Sequence, residues 1–364
     1  MKDYIFTSES VTEGHPDKIC DQIADAIVDA ALAQDPYSNM AVECTIKDDF
    51  VLIYGECNTK AKLDYETIAL NEIKRIGYTE EYHVHTVVNQ QSPEIHNAVN
   101  RDEVCAGDQG IMFGYACDEN DEYMPLTIYY AHLLARQLSK VRRQHPDLLK
   151  PDGKTQVSVE YENDEIKRID TIVVSTQHSK DITQEEIKEL IMNEVIKPCI
   201  DEKYLDENTK YFINPSGSFV VGGSWGDSGT TGRKIVCDTY GGRGRIGGGC
   251  FSSKDPTKVD RSAAYYSRYV AKNIVANGLA RRCEVEVAYA IGKAQPVSLC
   301  VDTFGTGKFD DEKLLEIVKK NFNFEVGNII SELDLRKPVY HKTSCYGHFG
   351  DPQFTWEKVK KLEY

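Results

Sequence analysis

Apolar residues recur every three to four positions from about Pro16, where Ile19, Ile23, Ile27 and Ala31 share one stripe, and this predicts a long amphipathic helix. Two alternating runs follow, MAVECTI and FVLIYGEC, joined by the turn residues Lys47 to Asp49, and then a second helix around Tyr65 to Ile76. The same order returns with a helix led by Pro125, the strands TQVSVEYE and IDTIVVSTQH around Asn163 and Asp164, and the helix TQEEIKELIMNEVI. It returns again with a helix led by Asp255 and Pro256 that runs through Val259, Ala263, Tyr266 and Val270, the strands CEVEVAYAI and VSLCVDTFG, and the helix DDEKLLEIVKKNF. Helix stripes beside alternating strands predict α+β layers in which helices cover one face of each sheet. Three rounds, spaced by roughly a third of the chain, predict three similar α+β domains about a pseudo-threefold axis. Boundaries in the polar stretches Gln90 to Gly107 and Asn214 to Gly232 give domains over residues 1–99, 104–222 and 224–360.

A length of 364 residues with 41% hydrophobic content supports large cores and more than one domain. The formal net charge of −15 counts against a nucleic-acid or anionic-membrane partner. No apolar run is long enough to span a membrane, and the start MKDYIFTSESVTEGHPDK lacks the apolar segment of a signal peptide, so a cytoplasmic protein is expected. Eleven cysteines without a C-x-x-C pair signal neither a disulfide framework nor a zinc cluster, and are expected to be reduced and mostly buried.

One stretch departs from the acidic background. Arg233 to Arg261 holds seven Arg or Lys against three Asp, together with Gly241, Gly242, Gly244 and Gly247 to Gly249. Cations beside glycines suit a small polyanion such as a nucleotide tail, because backbone N–H groups without a neighbouring Cβ approach phosphate oxygens. A solvated glycine-rich loop fits the same residues equally well.

Gly14 to Lys18, GHPDK, sets His15, Asp17 and Lys18 at the start of the first helix, with Pro16 where a missing N–H is tolerated. A helix N-terminus attracts anions, so a histidine donor, a hard oxygen ligand and a cation there make a phosphate and metal corner. Ordinary capping and dipole compensation would use the same residues. CAGDQGIMFG around Asp108, PDGKTQ with Asp152 and Lys154, and GGSWGDSGTTGRK with Asp227, Arg233 and Lys234 read as site loops or as capped turns. Gly242, Gly244 and Gly247 satisfy G-x-G-x-x-G, but no apolar helix period opens after them, so a Rossmann turn is rejected. Neither the Walker spacing nor H-E-x-x-H occurs.

Taken together, GHPDK, CAGDQGIMFGYA, DGKTQV, STQHS, GDSGTTGRK and GGGCFSSKDPTKVDRSAAY resemble, in order and across nearly the whole chain, the motif set of methionine adenosyltransferase, also called S-adenosylmethionine synthetase. The resemblance implies that family's fold and formation of S-adenosyl-L-methionine from ATP, L-methionine and water, with release of phosphate and pyrophosphate. It implies a homodimer, often paired into a homotetramer, with active sites at the subunit interface. It also implies Mg²⁺, two per active site, and K⁺, and no nucleic-acid or membrane partner.

Residue by residue, the resemblance implies catalytic roles for His15, Lys154, Arg233, Lys254 and Lys258. His15 falls beside the ribose C5′ and triphosphate, while Lys154, Arg233, Lys234, Lys254 and Lys258 surround the triphosphate. Asp152, Ser175, Asp227 and Cys250 fall at further ATP contacts, and Phe219 and Ile291 at adenine-stacking positions. Ser218 occupies an ATP-binding position where a basic residue is usual, which removes one contact. Glu56, Gln91, Asp227 and Lys258 match methionine-holding positions, Asp17 and Asp260 the Mg²⁺ ligands, and Glu43 a K⁺ site.

Other departures are His96-Asn97-Ala98 in a shortened gate-like loop from Gln91 to Gly107, Ser224 where proline is common, and HFGDPQFTWE near the C-terminus. None touches the expected metal or triphosphate residues. A non-catalytic regulatory subunit and a methionine-independent ATP tripolyphosphohydrolase are the competing readings, and the charged site positions count against the first.

Overall fold

The computed structural model describes residues 3–90 and 104–364. The chain makes three rounds of one element order. The first is strand β1 (Tyr4–Val11), helix α1 (Pro16–Gln34), hairpin β2 (Asn39–Lys47) and β3 (Phe50–Asn58), helix α2 (Tyr65–Ile76) and strand β4 (His83–Gln90). The second is β5 (Gly110–Cys117), α3 (Leu126–Gln144), β6 (Leu149–Glu162), β7 (Glu165–His178), α4 (Gln184–Leu190) and β8 (Lys210–Ile213). The third is β9 (Gly229–Thr230), α5 (Val259–Ala276), β10 (Arg282–Tyr289), β11 (Ser298–Asp302), α6 (Asp311–Asn321) and a further helix α7 (Val326–Glu332). The fold is α+β. Among the described residues no helix is long and apolar enough to cross a membrane.

Each round lends its first strand to the next. β1 pairs antiparallel with β6, β5 with β10, and β9 with β2, so the sheets run β1-β6-β7-β8, β11-β10-β5 and β4-β3-β2-β9. In the two four-stranded sheets the crossover helix returns the chain parallel to the hairpin, β4 on β3 and β8 on β7. The division at 1–99, 104–222 and 224–360 is therefore proposed as a division of sequence, since the lead strands hydrogen-bond across it.

Three long helices cover the sheets: α1 packs on β2 and β9, α3 on β1 and β6, and α5 on β5 and β10. In β2, Met40, Val42, Cys44 and Ile46 face α1 and are buried, while Ala41, Glu43 and Thr45 face away. The predicted stripe Ile19, Ile23, Ile27 and Ala31 is wholly buried in this core.

The local reading needs correction in several places. PDGKTQ is the interior of β6, where a register shift between Leu149 and Gly153 puts a bulge in the pairing with β7; Pro151 and Gly153 look like loop residues for that reason. Half of CAGDQGIMFG is likewise strand, in β5. Asp255 and Pro256 form a turn before α5, which Lys258 caps at its N-terminus. TQEEIKELIMNEVI winds as α4 and then widens into a π-helix over Ile191–Ile196. None of the eleven cysteines forms a disulfide, and Cys300 is exposed.

The opposite side of α1 is acidic and, apart from half-buried Asp29, buried as well. Asp17, Asp21, Asp25 and Asp29 recur every fourth residue and share a second stripe, and each holds residues that follow β8. Asp17 accepts the Thr230 amide at 3.0 Å and Asp21 the Gly232 amide at 2.8 Å. Asp25 accepts Ser252 Oγ at 2.9 Å, the Ser253 amide at 3.1 Å and both ends of the Arg261 guanidinium at 2.8 and 2.7 Å. Asp29 accepts the Tyr340 and His341 amides, both at 2.9 Å.

Two predictions follow from this packing. Gly229 of β9 lies so close to the first turn of α1 that an added Cβ would sit 2.1 Å from the Pro16 carbonyl oxygen. Gly229→Ala should cost about 3 kcal/mol or more, read as a fall in Tm, because backbone meets backbone there; an unchanged Tm would contradict the packing. Burial pushes the Asp29 carboxyl up from its ordinary 3.8 to about 6, against the pull of the His341 and Tyr340 amides. The native state thus holds this proton more tightly than the unfolded chain, so Asp29's contribution is full below pH 4 and lost as pH rises through about 6. In thermal melts at pH 4.5 and 7, Asp29→Asn should carry a constant offset from its weaker amide bonding and should lack a pH-dependent loss of about 2 to 3 kcal/mol. A difference from wild type that does not change with pH would refute the titration.

Candidate active site

The corner built by GHPDK forms because β1 delivers the chain to the N-terminus of α1. His15 is the N-cap, buried, and its Nδ1 accepts the Asp17 amide at 3.1 Å. A ring nitrogen that accepts an N–H carries no proton itself, so the neutral imidazole presents Nε2–H as its donor. Burial and then Lys234 push the His15 pKa down to about 3, Asp17 opposes them, and Lys154 and Lys18 add to the lowering. His15 is a neutral donor, placed where the helix N-terminus also favours negative charge.

Asp17 meets Lys234 Nζ at 2.5 Å and Arg233 Nη1 at 3.7 Å. Burial pushes its carboxyl up, but the Lys234 hydrogen bond and the Thr230 amide outweigh burial and hold it below the ordinary range. Lys18 is wholly buried, 2.9 Å from Asp21 Oδ2 and in contact with Asp238 Oδ1.

Strand register brings in the next set. Lys154 pairs with Val11 on β1 and with Ser175 on β7, so Lys154 and Ser175 project from the same face beside the strand that leads to His15. Asp152 is buried, accepts the Gly223 amide at 2.8 Å, and donates its own amide N–H to Gln177 Oε1 at 3.3 Å. Burial raises its pKa to about 6 against the Gly223 amide and Lys154. Phe219, half-buried, is fixed by His178: its N–H donates to the imidazole Nε2 and its carbonyl accepts the His178 amide, each at 2.9 Å. Ser218 beside it and Asp227 are exposed, and Asp227 caps the turn at the Ser228 amide at 2.8 Å.

A second group gathers around the start of α5. Lys254 Nζ lies 2.6 Å from Asp260 Oδ2, and Lys258 Nζ lies 2.8 Å from Asp255 Oδ2. Lys254 bridges to Ala41 on β2. Ala41 pairs with Glu56, and Glu43 pairs with Tyr54, whose hydroxyl donates to Glu43 Oε2 at 3.3 Å. Glu43 and Glu56 therefore lie on the sheet face turned away from α1. Ile291, 48% exposed, sits in a turn tied to Ala106, and the neighbouring Gly107 amide donates to the Thr257 carbonyl at 3.1 Å. Cys250 lies between the two groups, against Gly232, and burial pushes its thiol up despite Lys254, which keeps it protonated. Gln91 lies outside the described residues.

Lys154 and Arg233 are exposed, whereas Lys234, Lys254 and Lys258 are mostly covered. The small cavity reaching Asp260, bounded by Ile111, Gly247, Gly249 and Phe251, holds about 20 Å³, far below the several hundred of a nucleotide pocket. Among the described residues no group of three or more His, Cys, Asp or Glu could hold a metal ion unaided. Hard ions that keep waters and phosphate oxygens need only one or two carboxylates from the protein, as Asp17 and Asp260 offer. Sequence reasoning passed over Lys18's buried partners Asp21 and Asp238, and over Asp25. The i+4 spacing of acids through DKICDQIADAIVD was the signal for two of them.

Residues 3–102, 103–219 and 221–358 match the N-terminal, central and C-terminal domains of S-adenosylmethionine synthetase. The chain is 53% identical to the S-adenosylmethionine synthase of Clostridium tetani, covering 99% of this chain and 98% of that protein. It is 52% identical to the one from Sorangium cellulosum, covering 99% and 89%, and 50% identical to the one from Syntrophobacter fumaroxidans, covering 100% and 97%. Similarity of this extent, spread over all three domains and including the cationic corner, means that the chain belongs to the S-adenosylmethionine synthetase family.

Proposed function

We propose that the chain is a methionine adenosyltransferase that forms S-adenosyl-L-methionine from ATP, L-methionine and water, releasing pyrophosphate and phosphate. The observation that carries this reading is the meeting of His15 Nε2–H, Lys154, Arg233 and Lys234 with Asp17 at one helix N-terminus. The thioether sulfur of methionine attacks C5′ of ATP with a lone pair, the C5′–O bond breaks, and the triphosphate departs with the bonding electrons. Sulfur has no proton to lose, so no general base is needed on the nucleophile. Charge grows instead on the departing oxygen, where a neutral histidine donor and fixed ammonium and guanidinium groups stabilise it. Attack of water on the triphosphate, in the same cradle, then gives pyrophosphate and phosphate.

In this reading Lys254 and Lys258 extend the cradle, with Asp152, Ser175, Ser218, Asp227 and Cys250 as further ATP contacts. Phe219 and Ile291 flank the adenine, and Glu56, Gln91, Asp227 and Lys258 hold methionine. Asp17 and Asp260 would hold Mg²⁺, two ions per site, and Glu43 K⁺. Both Mg²⁺ candidates are carboxylates already paired with an ammonium, at 2.5 and 2.6 Å, which supports their fitness for a cation. Bound Mg²⁺ would supply additional positive charge against the triphosphate.

The open face also supports a homodimer, assembled further into a tetramer, in which a second copy closes each site. Exposed apolar residues such as Val87 and Ile111 on strands β4 and β5 suit such contact. A cytoplasmic location belongs to the same proposal.

Lys154→Met and Asp260→Asn should each lower kcat by about 100-fold or more while Tm stays within a few degrees. Both residues are at least partly exposed, so the fold should tolerate the change. Product analysis with ATP, L-methionine, Mg²⁺ and K⁺ should give S-adenosylmethionine, pyrophosphate and phosphate together, and none without methionine. Wild-type rates in either variant would sink the site assignment, and ATP cleavage without methionine would favour a tripolyphosphohydrolase.

A further inference from the structure

We propose that the buried Lys18–Asp21 pair is a positioning clamp that holds Arg233 and Lys234 at the distance a triphosphate needs. The inference rests on the adenosyltransferase reading for its consequence but on separate contacts for its geometry. Neither side chain of the pair is exposed to solvent, so neither can touch a substrate. Each grips one end of the same segment. Asp21 Oδ1 takes the Gly232 amide at 2.8 Å, and Lys18 holds Asp238, which ends the helical turn Ile235–Asp238. Lys18 and Asp21 are themselves joined at 2.9 Å, so residues 232 to 238 are tied to α1 at both ends through one ion pair.

The segment has little freedom before the clamp either. Thr231 is bonded to Cys44 of β2 through its amide, at 3.0 Å, and through its hydroxyl, at 3.2 Å. Gly232 then turns at φ +80°, pressed against Cys250, where an added Cβ would fall 2.7 Å from the sulfur. Arg233 and Lys234 follow at once and turn back toward Asp17. Among the described residues Asp21 is the acceptor of the Gly232 amide, so its loss frees that end of the segment. The two cations would then sample a wider range, and the loss would fall on triphosphate recognition and on kcat.

The test compares Asp21→Ala, which removes the acceptor, with Asp21→Asn, which keeps an oxygen for Gly232 and leaves Lys18 its Asp238 partner. Asp29→Asn, on the same stripe but anchoring residues 340 and 341, controls for general destabilisation. Inorganic tripolyphosphate binding to the purified protein is measured by calorimetry, beside kcat and the KM for methionine. Asp21→Ala should weaken tripolyphosphate by tenfold or more and lower kcat at least as much, with the methionine KM within twofold of wild type. Asp21→Asn should restore both to within about threefold, and Asp29→Asn should leave both unchanged. Equal loss in Asp21→Ala and Asp29→Asn, or no rescue by Asp21→Asn, would overturn the clamp.

If Asp21→Ala does not fold, hydrogen exchange on the wild-type protein decides. The Gly232 amide should be protected although its segment is partly exposed, and rapid exchange there would overturn the proposal. Failure of wild-type protein to form S-adenosylmethionine would instead refute the functional reading and leave the tripolyphosphate and hydrogen-exchange tests standing.

Discussion

The structure depends on four carboxylates along one side of α1, of which Asp17, Asp21 and Asp25 are buried and Asp29 is half-buried. An uncompensated buried charge is costly, so each aspartate must find donors, and the donors available are backbone amides and cations of the residues that follow β8. The requirement works in both directions. Those amides lie in loops rich in glycine and serine that would have no defined path without an acceptor. At the third position of the stripe, Arg261 and Asp25 are both wholly buried, so either side chain alone would be an unpaired charge in the core. α1 thus acts as a template on which the loops carrying Arg233, Lys234 and Lys254 are laid out in order.

Exchange of lead strands makes the same point on a larger scale. β1, β5 and β9 each complete a sheet whose hairpin belongs to the following round, which closes the three rounds in a ring. A sheet made this way cannot form until two distant parts of the chain have met, at the entropic cost of long loop closure. The return is a shared core in which the N-terminus of α1 is fixed against β9 and near β6, so that Asp17, Lys154 and Lys234 come from three rounds and reach one corner.

The sequence made the repeated part of this legible. Hairpins with turn residues such as Asn163 and Asp164, both at positive φ, and helices with apolar stripes obey local rules that a single chain displays. The lead strands did not declare themselves: β9 is two residues long and β5 is buried almost throughout, so neither alternates. Their pairing is decided by partners more than a hundred residues away. At the site, His15, Asp17, Lys234 and Lys254 were visible as glycine and charge in company. The second stripe of α1 was hidden because acids at helical spacing ordinarily mark a solvated face, and only tertiary contact turns them inward.

The cation cradle also explains how an acidic chain can serve a polyanion. Asp17 and Asp260 each hold a lysine at 2.5 and 2.6 Å, so Lys234 and Lys254 are ordered by neighbouring carboxylates. Under the proposed function Asp17 and Asp260 would hold the metal ions, and Lys234 and Lys254, already ordered beside them, would supply positive charge to the triphosphate. That is why buried acids behind the cradle matter as much as the cations that line it.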